Sequence, residues 1–206
     1  MFPALVSPTP IYLSGNWAGP VVTTARRTLS QASGTFRVPT APIEGPNGAE
    51  MAYWIGLGGY GQPMNLCQAG VADTRSGGHL VAGLIAQDYP APPVVKSGIV
   101  HPGDRIRATV GHVGSRYVAT VMDLTTHQSL TIGCRVPPQG AWQHAEWIAE
   151  SKLNQDGQPV LISNPVQFSH MATQQTASGP HWWQLYMGPA TWPTLRPEGT
   201  ATIAFW

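Results

Sequence analysis

Charge is what this sequence has least of. Only 10% of its 206 residues are Asp, Glu, Lys or Arg, against roughly a quarter in an average soluble protein. Eleven Lys and Arg against ten Asp and Glu leave a net charge of +1, with no basic run. Affinity for phosphates needs clustered positive charge, so nucleic acid is not an expected partner. With ten carboxylates to protonate, the net charge changes little between neutral and acid pH. That suits an acidic medium, and equally a sparsely charged secreted protein. Cysteine is almost as scarce: Cys67 and Cys134 allow one disulfide or two free thiols, and their context does not choose. Neither cysteine fits a metal-binding spacing, and the seven histidines form no HxH or HxxxH pair. No metal and no cofactor are expected. No stretch approaches the ~20 apolar residues of a membrane span, so no membrane partner is expected either. The segment from Met1 to Gly19 holds Pro3, Pro8 and Pro10 and no basic n-region, so it does not read as an intact signal peptide.

The 3.6-residue period is also largely missing. In its place are short runs rich in Val, Ile, Thr, Tyr and Trp, cut by 23 Gly and 20 Pro. Strands are expected at Gly34–Val38, Ala52–Leu57, Cys67–Ala72, His79–Ala86, Arg105–His112 and Arg116–Asp123. Others are expected at Gln128–Gly133, Ala145–Glu150, Val160–Ile162 and Thr200–Trp206, after an extended N-terminal segment over residues 1–13. Asn47-Gly48, Asp156-Gly157 and His101-Pro102-Gly103-Asp104 supply turns. Such spacing without intervening helices predicts an all-β fold, an antiparallel double-sheet sandwich or barrel. With 42% hydrophobic residues a core is within reach. No compositional break or repeat divides the chain, so one domain over 1–206 is expected.

Alternation assigns faces. Ile106, Ala108 and Val110 share one side of their strand, and Cys67 and Gln68 point opposite ways. Glu146, Ile148 and Glu150 share one side, with Trp147 and Ala149 on the other. On a strand the two glutamates lie four steps, about 13 Å, apart, which demands separate roles. Known catalytic signatures are few. There is no GxSxG elbow, and Asp73-Thr74-Arg75 is not the D-[TS]-G of an aspartic peptidase. What remains is a small set of carboxylates among aromatic and amide side chains. Two of them fall in the apolar Ala145-Glu146-Trp147-Ile148-Ala149-Glu150, although burying a carboxylate costs several kcal/mol unless it is hydrogen-bonded. By itself that segment reads better as a solvated strand face with Trp147 in the core.

Six segments, in order, point further. Asn16-Trp17-Ala18-Gly19 is similar to an NW-[AG]-G motif, and Gly34-Thr35-Phe36-Arg37-Val38-Pro39 to an early strand ending in V-P. Trp54-Ile55-Gly56-Leu57-Gly58-Gly59 resembles W-[VI]-G-I-D-G, and Leu66-Cys67-Gln68-Ala69-Gly70-Val71 resembles [IL]-x-Q-[TA]-G. Tyr89-Pro90 stands where a Y-P is expected, and Ala145 to Glu150 matches A-E-[WF]-I-x-E. Together they resemble the glutamic peptidases, the eqolisin family of acid endopeptidases. The resemblance implies a double-sheet sandwich carrying a Gln–Glu dyad, with Gln68 and Glu150 at the catalytic positions and polypeptides as substrates. It implies an extended substrate lying against Trp17, Trp54, Gln87 and Tyr89, with Glu146 in a supporting or substrate-binding place. It also implies a secreted, acid-working protein, expected as a monomer. Three acids of the family pattern are replaced, by Gly58, Ala72 and Gln87, so less negative charge than usual is expected around Glu150. Rival readings are a non-catalytic sandwich binding carbohydrate or peptide through its aromatics, or a two-carboxylate glycoside hydrolase, whose acids must stand about 5–9.5 Å apart.

Overall fold

Val, Ile, Thr and aromatic side chains favour the pleated surface of a sheet, and the described residues follow this preference. A computed structural model describes residues 11–24, 28–40, 46–60, 62–137, 141–152, 166–175, 181–187, 191–196 and 200–205. All of the regular structure among them is strand. In chain order the strands are β1 (Ile11–Ser14), β2 (Trp17–Thr23), β3 (Leu29–Arg37), β4 (Glu50–Gly59) and β5 (Gln62–Ser76). Then come β6 (His79–Tyr89), β7 (Val94–Val100), β8 (Arg105–Val113), β9 (Arg116–Asp123) and β10 (Ser129–Cys134). The last five are β11 (His144–Ser151), β12 (Val166–Gln175), β13 (His181–Met187), β14 (Thr191–Arg196) and β15 (Thr200–Phe205).

They build an eight-stranded sheet in the order β1-β13-β2-β11-β4-β5-β6-β7 and a seven-stranded sheet in the order β10-β9-β8-β3-β12-β15-β14. The expected double-sheet, all-strand architecture is therefore present. One pairing departs from the antiparallel rule: β1 runs parallel to β13 at the sheet edge. The Val160–Ile162 expectation lies outside the described residues.

The main core lies between the sheets, where side chains of both inner faces meet. It includes Phe36, Tyr53, Ile55, Leu84, Tyr117 and Trp147. The period-2 reading of β8 holds, since Ile106, Ala108 and Val110 are buried. A disulfide joins Cys67 of β5 to Cys134 of β10, across the two sheets, with Cα atoms 6.0 Å apart. This decides what the sequence left open.

Candidate active site

The outer face of the eight-stranded sheet follows from register. Glu146, Gly56, Gln68 and Gln87 sit side by side on β11, β4, β5 and β6. Two residues further along, Ile148, Trp54, Gly70, Ile85 and Val95 form the next row, and Glu150, Ala52, Ala72, Gly83 and Ser97 the one after. Side chains alternate across a strand, so all three rows share one face. The intervening residues Trp147, Tyr53, Val71 and Leu84 belong to the core on the opposite side. Gln68 and Glu150 line one cleft of about 700 Å³ on this face, together with Asn16 and Trp54. An adjoining cavity of about 320 Å³ is lined by the same Gln68, Glu150 and Asn16 with Trp17, Gln87 and Tyr89.

Both carboxylate oxygens of Glu150 are held. Asn16 Nδ2 donates to Oε1 at 2.9 Å and Trp54 Nε1 donates to Oε2 at 2.9 Å. Trp17 packs edge-on against Trp54, with ring centroids 4.9 Å apart. Burial pushes the Glu150 pKa above its ordinary value, and nearby Glu50 adds to the rise. Hydrogen bonds from the side chains of Trp17, Trp54 and Asn16 oppose it, because each favours the charged form. Burial wins, which leaves a carboxyl group that titrates higher than a free glutamate yet is oriented as a base.

Gln68 is set by a chain of amides. Gln87 Nε2 donates to the carbonyl of Ala91 at 2.8 Å, so Gln87 must turn its Oε1 inward. That oxygen accepts from Gln68 Nε2 at 2.6 Å. The Ala91 carbonyl can only accept, so it fixes both amides and removes the usual two-fold ambiguity of a glutamine. Gln68 keeps one N–H and its Oε1 uncommitted, and Oε1 has no hydrogen-bond partner among the described residues. The side chain is only 7% exposed, so an unused amide there is costly unless a ligand engages it.

The expected substrate-binding residues divide. Trp17, Gln87 and Tyr89 line the smaller cavity, whereas Trp54, which borders the larger cleft, is fully covered and touches the site through its indole N–H. Glu146 is a correction. It shares the face of Glu150 but is 0% exposed and cannot contact a substrate. In register beside it is Val21 of a second apolar cluster formed with Trp54, Leu66 and Ile148. Neither of its carboxyl oxygens finds a side-chain partner among the described residues, and burial raises its pKa well above the ordinary value. It is therefore a neutral carboxyl in the acid range.

Two participants escaped the sequence reading. Asn16 was visible only as part of a motif, 134 residues from the carboxylate it binds. Glu50, 3.9 Å from Lys152 Nζ, lines the cleft and brings a negative charge to Glu150 that the replaced family acids had seemed to remove. The replacement at Gly58 has a local cause: φ is +87° and a Cβ there would collide with the Asn65 backbone and the Trp142 ring. Among the described residues, no three His, Cys, Asp or Glu side chains gather as a metal-ligating group.

Residues 15–188 match the Peptidase A4 family. The chain belongs to that family. It is a glutamic peptidase, with the eqolisin sandwich. Among solved structures, scytalido-glutamic peptidase with a transition-state analog inhibitor superposes with a TM-score of 0.72 at 21% identity, covering 93% of this chain and 98% of that one. An eqolisin-family peptidase in complex with the tripeptide Ala-Ile-His gives 0.65 at 19% identity, over 93% and 98%. Aspergilloglutamic peptidase from Aspergillus niger gives 0.56 at 22% identity, over 76% and 99%. No curated protein matches.

Proposed function

We propose that this glutamic endopeptidase works through a Gln68–Glu150 pair, in acid and outside the cell. Ionised Glu150 accepts a proton from a water as the water oxygen attacks the peptide carbonyl carbon. Gln68 donates its uncommitted N–H to the oxyanion that forms, while its Oε1 accepts from the same water. Glu150, now protonated, passes its proton to the amide nitrogen as the C–N bond breaks, releasing an acid and an amine. An amide neither gains nor loses a proton in acid, so the oxyanion donor survives where a histidine-based site would be charged. The observation that carries this reading is the amide chain from Ala91 to Gln68, which leaves Gln68, a lining residue of the cleft that Glu150 also lines, with one N–H unused and its buried Oε1 unpaired. Peptide substrates are supported by the family and by the tripeptide held in an eqolisin neighbour. The disulfide suits an oxidising compartment.

The test is digestion of a denatured protein from about pH 2 to 7 with and without pepstatin. Cleavage confined to the acid range and indifferent to pepstatin is expected. Gln68→Ala should lose about 10²–10³ in kcat, and Glu150→Gln should lose turnover altogether, with unchanged circular dichroism. Near wild-type rates in either folded variant would remove the pair from the mechanism.

A further inference from the structure

Beyond Glu150 the cleft continues toward the sheet edge, and its character changes there. Its floor is Ala52, Ala72 and Gly83, nothing larger than a methyl group. On the far side stand Ile85 of β6 and Val95 of β7, cross-strand partners, flanked by Val81 and Pro93. Val95 is 51% and Val81 41% exposed, unusual for β-branched side chains at the mouth of a cavity. No charge faces this wall from either strand: the other lining residues of β6 and β7 are Gln87, Gly83 and Ser97. Lys96, the one cation of β7, is committed to Gln128 at 2.7 Å. The charged pair Glu50 and Lys152 lies two strands away, on β4 and just past β11, with Thr74 of β5 in register between Glu50 and Val81.

We infer that the Ile85–Val95 wall is a subsite for an aliphatic substrate side chain, so that the enzyme selects Leu, Ile, Val or Met on one side of the scissile bond. The inference rests on the peptidase reading above and deepens it. An extended chain places alternate side chains on one side at about 6.6 Å spacing. A peptide whose carbonyl sits between Gln68 and Glu150 therefore lays a side chain across the small floor toward β6 and β7. An aliphatic group there buries its own surface and that of Val95 together, while a charged or amide group would be desolvated against Val81, Ile85 and Val95, with only the hydroxyls of Ser97 and Thr74 nearby to answer it. Discrimination of this kind is worth roughly 10–200-fold.

The experiment has three parts. A peptide library is digested by the wild type and the cut sites read by mass spectrometry. Aliphatic residues should be enriched at one fixed position relative to the cut. Two peptides differing only as Leu or Gln at that position are then compared by kcat/KM, and the leucine peptide should lead by about tenfold or more. In Val95→Thr, a change of similar shape at a half-exposed position, that ratio should fall at least severalfold. It should fall further in Ile85→Thr/Val95→Thr, with melting curves confirming both folds. Cleavage without aliphatic enrichment, or a ratio unchanged in Val95→Thr, overturns the subsite and leaves the peptidase intact. If the wild type cuts nothing at any pH, the peptidase reading fails by itself. The affinities of the two peptides, read by fluorescence anisotropy, then decide the subsite: equal affinities overturn it, and a leucine preference lost in Val95→Thr supports it.

Discussion

Glu150 carries two opposing influences, and each can be changed separately. Burial and the Glu50 charge raise its pKa, while Trp17, Trp54 and Asn16 hold it down. In the proposed mechanism Glu150 is the general base and must be ionised, so the acidic limb of kcat/KM should follow that pKa. Glu50→Gln removes a like charge and should move the limb to lower pH, modestly because Glu50 is part-exposed and screened. Ala72→Asp adds a like charge on the same cleft floor and should move it upward. Paired pH–rate profiles of the two variants check the sign, and shifts in the same direction would refute the electrostatic account. Glu146→Gln should keep near wild-type rates at acid pH, because a buried neutral carboxyl is replaced by a neutral amide. In the proposed mechanism Gln87 acts as a positioning residue through its hydrogen bond to Gln68. Gln87→Met should lower kcat more than it changes KM, since the Gln68 amide loses the partner that orients it. Such a split is not expected of a side chain that only lines the cavity.

At the scale of elements, what could be read from the sequence depended on whether each strand has one wet face. β8 does, with exposed Arg105 and Arg107 alternating against buried Ile106 and Ala108, and its pattern was plain. β2 does not: Ala18 to Val22 are buried on both sides between β13 and β11, and Pro20 within it argues against a central strand. β7 hides for the opposite reason, being exposed along most of its length and preceded by Pro92 and Pro93. The site divides in the same way. Gln68 and Glu150 lie in local motifs, but the Asn16, Trp54 and Glu150 contacts join β4 and β11 to the turn before β2, and no local pattern encodes them. The disulfide likewise links residues 67 positions apart. It also supports the cleft mouth, for Asp88 is the β6 register partner of Cys67. Arg135, next to Cys134, donates to Asp88 at 2.9 Å and to the Tyr89 carbonyl at 2.7 Å. Replacing both cysteines by alanine should lower stability by about 4 kcal/mol, from the entropy of closing so long a loop. Denaturant melts under oxidising conditions measure it.

For the molecule as a whole, stability should favour acid. Asp73 sits on the core face of β5, 1% exposed, near the Tyr53 hydroxyl, and burial raises its pKa from 3.8 to about 7. A carboxyl with a raised folded-state pKa binds its proton more tightly when folded. Its contribution is complete below about pH 4 and is lost as pH climbs through about 7, a change of roughly 4 kcal/mol. Glu146 and Glu150 lean the same way. Melting temperature should therefore fall as pH rises from about 4 through about 7 and level off above, and Asp73→Asn should flatten the fall, gaining stability at the neutral end. A wild-type melting temperature independent of pH would contradict the buried-acid account. None of this was visible in Asp73-Thr74-Arg75, because burial is decided by which sheet face a residue takes. The cross-sheet disulfide has a mechanical consequence as well. When the molecule is stretched by its two ends, force passes from β5 to β10 through the sulfur bridge, and the chain between the two cysteines, a separation of 67 positions, bears no load. An optical-tweezers trace should release about 230 Å less contour length than the reduced protein, and adding a thiol reductant should restore the missing extension as a separate step.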